Sequence, residues 1–287
     1  MAPTLSNSDI IKDRAPHTKQ QMNIFPESSF IKERQAADLP TPAMVRATNI
    51  ASGHPRASFF NRPPPVKIPS LGLLVKYGAD VTITEARTQM MVCEQLRSQV
   101  PVPEVFGWTE DGGQGFIYMS LIEGESLHER WGDMNETGRR VARRILHRPV
   151  TLHWHADTTD KELLSLGSFG EQPLNDIFLA SHPELTGPFK GANVVQEFQY
   201  ACGIEIRGET AVVFTHGDLV LPNILLSPGP KPKVEAVIDW AQRLDPKSFS
   251  DAMQEEWREK YLPMILDPVD DRSCYHPWLY FVLSKGI

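Results

Sequence analysis

The chain has 287 residues, a net charge of −7 and 41% hydrophobic residues. That apolar share supports a folded core and excludes wholesale disorder, while the acidic balance lacks the basic surface of a nucleic-acid binder. Three scattered cysteines, Cys93, Cys202 and Cys274, give neither a disulfide framework nor a zinc site and suit a reducing compartment. The opening MAPTLSNSDIIKDR has no apolar signal core, and no run nears the roughly 18 apolar residues of a membrane span. The expectation is a cytoplasmic protein with no membrane partner.

In chain order, residues 1–39 are polar and predict a tail, mobile or loosely strapped onto the first lobe. Thr41-Pro42 opens a helix over AMVRATN, with Thr as N-cap and Pro at the first helical position. ASGHPRASFFNRPPPVKIPS follows, and its prolines leave only loop or a short edge strand. LGLLVKYG (71–78) predicts a buried strand. A helix then starts at Thr84-Glu85-Ala86 and carries Met90, Met91, Cys93 and Leu96 at helical spacing. PVPEVFGW (101–108) and GFIYMSLIEG (115–124) predict two strands joined by the turn Asp111-Gly112-Gly113.

Beyond Gly124 the helical patterns ETGRRVARRIL and ANVVQEFQYACGI flank the loop GSFGEQPLNDIF. Three short strand-like pieces follow, AVVFTH, NILLS and VEAVIDW, and the stretch from Asp251, with Trp257, Tyr261, Leu262 and Ile265, is amphipathic helix. The order predicts an α+β, bilobal fold. A small sheet lobe for nucleotide spans 40–122, and a larger, mainly helical lobe over 123–287 carries the catalytic loop, metal site and substrate helices.

The chemistry concentrates in FTHGDLVLPNILL (214–226) and VEAVIDW (234–240). Phosphoryl transfer needs a group that orients the attacking hydroxyl and accepts its proton, and hard oxygen ligands for Mg²⁺. Asp218 offers the base, and Asn223 and Asp239 offer the metal ligands. His216 reads as a brace for the loop backbone more readily than as a proton carrier. His-x-Asp-x4-Asn arises by composition in on the order of one chain in a hundred of this length, and the apolar triplet and Ile-Asp-Trp that follow make it rarer.

H-G-D-L-x-x-x-N-I-L followed by I-D-W resembles the aminoglycoside phosphotransferase and choline kinase-like family, which shares the protein-kinase fold. LLVKYG and ITEAR resemble that family's strand lysine and helix glutamate. The resemblance implies that Lys76 meets the α- and β-phosphates and that Glu85 holds it. MSLI (119–122) sits where the family's hinge lies, which implies adenine contacts from the backbone at Ser120 and Ile122. VPVPEVFGW, GFIYMSLIEGESL, GSFGEQPLNDIF and EEWREKYLPMIL are similar to a fungal subgroup, so the likeness runs from about residue 40 onward.

Three features depart from that pattern. One is the run LHRPVTLHWHADTTDKELL between Arg140 and Ser165, which matches it poorly and whose His147, His153 and His155 read as surface histidines. No glycine-rich loop precedes Lys76, where Gly53 and Gly72 stand alone, and the aromatic stretch usual after I-D-W is replaced by AQRLDPKSFSDAMQ. The function expected is transfer of the γ-phosphoryl group of ATP, with GTP as the alternative donor, to a hydroxyl of a small molecule, with Mg²⁺ as cofactor. A catalytically silent nucleotide- or partner-binding pseudokinase is the alternative. Neither the acceptor nor the oligomeric state is legible.

Overall fold

A computed structural model describes residues 22–34, 38–96, 100–134, 139, 165–167, 172–174, 182–203, 216, 219–229, 232–240 and 260. Among them the chain forms sheets of five, three and two strands. The arrangement is α+β.

The largest sheet has the order β1 (Asn23–Ile24), β4 (Val105–Asp111), β5 (Gln114–Ser120), β3 (Leu73–Gly78), β2 (Val66–Ile68), with every pairing antiparallel. β4 begins at Val105 and not at Pro101, because Pro101 and Pro103 have no N–H to give a ladder. β3 begins after a 3-10 turn, Pro69–Leu71, closed by Gly72 at φ 53°. β4 and β5 join through Gly112 and Gly113, at φ 59° and 79°. Two successive left-handed residues make the two-residue hairpin whose twist matches the strands.

β3 alternates strictly. Leu73, Val75 and Tyr77 enter one apolar cluster with Phe106, Phe116 and Tyr118. That face is covered by α2 (Pro42–Ala51), which starts where Thr41 Oγ1 accepts from the Met44 amide, and by the segment from Met22. Over residues 22–34 the expected tail is a strap, and the strap is not loose. β1 pairs with β4, and α1 (Ser29–Arg34) buries Phe30 completely against Phe106. Ser29 donates from both its amide (3.0 Å) and its hydroxyl (2.6 Å) to the Glu104 carboxylate. A few apolar residues in polar surroundings suffice to seal this edge.

α3 (Ile83–Leu96) connects the two larger sheets. Its Ala86 packs with Val81, Val105, Ile117 and Met119 on the other face of the first sheet. Its Met91 and Val92 pack with residues of the small sheet, formed by β6 (Glu125–Ser126), β9 (Ile224–Leu226) and β10 (Val234–Val237). That second cluster also takes Leu127 and Trp131, which follow the capping box of Ser126 and Glu129 at the start of α4 (Leu127–Arg130). The third sheet pairs β7 (Ser165–Leu166) with β8 (Phe189–Lys190). Beside it lies α5 (Val194–Cys202), whose Phe198 meets Phe189 edge-on at 5.7 Å.

Apart from Arg139, His216 and Lys260, the helices expected over ETGRRVARRIL and from Asp251 onward and the strand AVVFTH lie outside the described residues, as does most of GSFGEQPLNDIF. No described helix is long and apolar enough to cross a membrane.

Candidate functional site

Alternation along β3 puts Leu74 and Lys76 on the face opposite Val75, the face against which α3 packs. Glu85 stands in the first turn of α3, and its carboxylate takes a hydrogen bond from Lys76 Nζ. The same ammonium reaches Asp239 Oδ1 at 2.6 Å. Lys76 and Glu85 are deeply placed, with side chains 12% and 3% exposed, while Asp239 keeps 28%.

Burial by itself would push the Lys76 amine down, but the charges of Asp239 and then Glu85 outweigh it and hold the amine above its ordinary value. Glu85 is pushed up by burial and by the neighbouring Asp239 charge, against the pull of Lys76. Two carboxylates share one ammonium, so the cluster with both ionised carries one excess negative charge.

Asp239 lies two residues past β10 at φ 63°, the left-handed region. Asp is among the few residues other than glycine that tolerate it, and such a conformation persists only where its surroundings enforce it. Three contacts do so here. Ile238 N–H donates to the Asn223 carbonyl at 2.9 Å, His216 Nε2–H donates to the Ile238 carbonyl at 2.9 Å, and the Trp240 indole donates back to the Val237 carbonyl at 2.9 Å. The His216 ring also lies 4.5 Å from that of Trp240. His216 is buried, and burial pushes its pKa down, so the imidazole is a neutral donor through Nε2.

Asn223 ends a 3-10 turn, Leu221–Asn223, that leads directly into β9, and it is buried. The antiparallel register of β9 with β10 pairs Ile224 with Val237, so Asn223 and Asp239 come from the adjoining ends of one hairpin. Asp218 lies outside the described residues. Its neighbours do not: His216 on one side and Leu219 and Leu221 on the other are buried in place.

Lys76, Glu85, Asp239, Asn223 and His216 are thus tied to one region. Ser120 and Ile122 lie where β5 ends, and there the expectation narrows. The Ser120 amide donates to the Glu104 carbonyl at 2.8 Å and its hydroxyl accepts from the Glu104 amide at 2.9 Å. The Ser120 N–H is therefore not available to a base edge. Ile122, past the strand, is half-buried and free of ladder pairing. Two contacts were missed from sequence: Lys76 with Asp239, and Arg62 with Asp80 at 3.0 Å beside the start of α3.

A family model described as the phosphotransferase enzyme family matches residues 73–243, more than half of the 287. The matched stretch opens at the first residue of β3 and takes in all of Lys76, Glu85, Ser120, Ile122, His216, Asp218, Asn223 and Asp239. No curated protein matches the chain.

Proposed function

The chain belongs to the phosphotransferase enzyme family, and from that premise we propose a bilobal small-molecule kinase of the aminoglycoside phosphotransferase and choline kinase-like type, of its fungal subgroup. It moves the γ-phosphoryl group of ATP, or alternatively GTP, to a hydroxyl of a small molecule. In the step, a bond forms from the acceptor oxygen to the γ-phosphorus and the bond from that phosphorus to the β-bridging oxygen breaks. The acceptor proton passes to the Asp218 carboxylate, and the nucleoside diphosphate leaves.

One observation carries this reading: the buried ammonium of Lys76 held between a helix carboxylate and Asp239. A cation fixed from two sides is preorganised for phosphate oxygens, so it needs little rearrangement when the nucleotide arrives. Glu85 aims Lys76. Ile122 offers its backbone to the adenine edge, and Ser120 offers its carbonyl. His216 holds the Ile238 carbonyl and so the backbone that presents Asp239.

The residues present fit Mg²⁺. The ion takes hard oxygen donors, keeps several waters and needs only one or two carboxylates besides the phosphates. Asp239 would supply one carboxylate and Asn223 an amide oxygen from the adjoining strand end, and the excess negative charge of the cluster favours a cation. When bound, the ion neutralises charge on the phosphates.

A second reading, a silent nucleotide-binding pseudokinase, is favoured by the proline run where a glycine-rich loop would stand. ATP consumption across a library of small hydroxyl compounds separates the two. The kinase reading expects turnover with at least one acceptor, and a fall of about 10²–10⁴-fold in Asp218→Asn. Absence of turnover with every acceptor favours the silent protein.

A further inference from the structure

The segment just before β2 is Arg62-Pro63-Pro64-Pro65. Backbone amides are the usual cradle for nucleotide phosphates, and a glycine-rich loop in this position provides them. Three consecutive prolines provide none. A nucleotide bound beside Lys76 would find no amide along this run, so side-chain donors would have to take its place.

The fold places one such donor. The Phe60 carbonyl accepts from the Ala79 amide at 3.1 Å and the Asn61 carbonyl from the Asp80 amide at 3.3 Å. The contact is close because Gly78 has no side chain: a Cβ there would sit 2.1 Å from the Asn61 oxygen. Phe60 to Arg62 are thereby laid against Gly78 to Asp80, the stretch that leads from the Lys76 strand to the Glu85 helix. Arg62 donates through Nε to Asp80 Oδ2 at 3.0 Å, and its side chain stays 42% exposed. Its two terminal nitrogens make no hydrogen bond among the described residues. Its charge is also felt at Glu85, where it opposes the upward push of burial.

A guanidinium with one edge anchored and its terminal fork open suits bidentate capture of a phosphate. Asp80 fixes the side chain without consuming that fork. We propose that Arg62 binds the phosphates of the nucleotide donor, taking the part of the amides that the proline run removes. The proposal rests on the reading of a nucleoside triphosphate as donor.

Calorimetric titration of the full chain with Mg·ATP and, separately, with adenosine tests it. Arg62→Ala should weaken Mg·ATP binding by roughly 10- to 100-fold, the effect of losing charge-assisted hydrogen bonds, and leave adenosine binding unchanged. Arg62→Lys should recover part of the loss, since it restores charge without the fork. Asp80→Asn, which can still accept from Nε, should bind Mg·ATP at least as tightly as wild type. Melting temperatures of all the variants establish that each is folded. Arg62→Ala binding Mg·ATP like wild type overturns the proposal, as does equal loss of Mg·ATP and adenosine. A loss reproduced by Asp80→Asn would reduce Arg62 to a structural partner. Wild type that binds no Mg·ATP overturns the donor reading itself, and the proposal with it.

Discussion

Lys76 and Asp239 stand 163 positions apart in the chain, and their side chains meet at 2.6 Å between Nζ and Oδ1. The contact ties the five-stranded sheet to the turn after β10, and Glu85 completes it from α3. Removing the ammonium leaves two carboxylates facing each other, one of them buried.

Lys76→Met should therefore destabilise the fold by about 3–5 kcal/mol near neutral pH, as when one partner of a buried pair is removed. The loss should shrink in acid. With Lys76 gone, Glu85 has a folded pKa well above its unfolded one, so the folded state gains on the unfolded as pH falls and Glu85 takes up a proton. Adding Glu85→Gln should restore most of the stability at neutral pH. Urea unfolding of the two variants between pH 5 and 8 measures this.

His216 predicts the opposite pH dependence for the wild type. Its folded pKa lies below the ordinary value of about 6.5. As pH falls through that value, unfolded chains bind a proton that the folded state refuses, so this contribution to stability declines with acid. His216→Gln, a neutral donor of similar reach, should flatten the slope of melting temperature between pH 7 and 5. An unchanged slope would assign it to other groups.

Much of this was legible locally. Thr41-Pro42 marks the start of α2 and Gly112-Gly113 marks the β4–β5 hairpin, because each signal lies within one or two elements, whereas Lys76 beside Glu85 follows from the family resemblance of LLVKYG and ITEAR and not from either residue alone. The contact of Lys76 with Asp239 depends on how separate sheets pack, and nothing near either residue encodes it. The strap was hidden for another reason: Phe25, Phe30 and Ile31 are diluted among polar neighbours, and burial of Phe30 follows only from the groove beside Phe106. The Ser120 amide looks free in sequence because the two predicted strands, 101–108 and 115–124, fix no register, and only the register puts the Glu104 carbonyl opposite it. Arg62 carries no local signal, and its place follows from the close approach at Gly78.

That close approach makes its own prediction. Gly78 lies at φ 146°, where L side chains are strained, and a Cβ would strike the Asn61 carbonyl. Gly78→Ala must push the segment from Phe60 to Arg62 away from β3. A loss of about 1–3 kcal/mol is expected, with weaker Mg·ATP binding than the loss of stability alone explains. Unfolding and calorimetry on the same sample separate the two effects.

Tyr118 predicts a gain. Its ring is fully buried among Phe30, Phe106 and Phe116, its hydroxyl has no hydrogen-bond partner among the described residues, and burial pushes its pKa far up. A buried hydroxyl without a partner costs about 1–3 kcal/mol. Tyr118→Phe should raise the melting temperature, and a fall would mean that the hydroxyl is satisfied in solution.

The central claim, a nucleotide site built on Lys76, Glu85 and Asp239 and completed by Mg²⁺, is tested most directly by the melting temperature of the full chain at millimolar ATP, with Mg²⁺ and with a chelator in its place. Ligand that binds only the folded state raises that temperature by mass action. The account predicts a rise with ATP and Mg²⁺, a smaller rise with chelator, and loss of the Mg²⁺-dependent part in Asp239→Asn, a variant that tolerates the same left-handed backbone. A wild-type shift that is absent, or that is equal with and without Mg²⁺ and unchanged in Asp239→Asn, would contradict it.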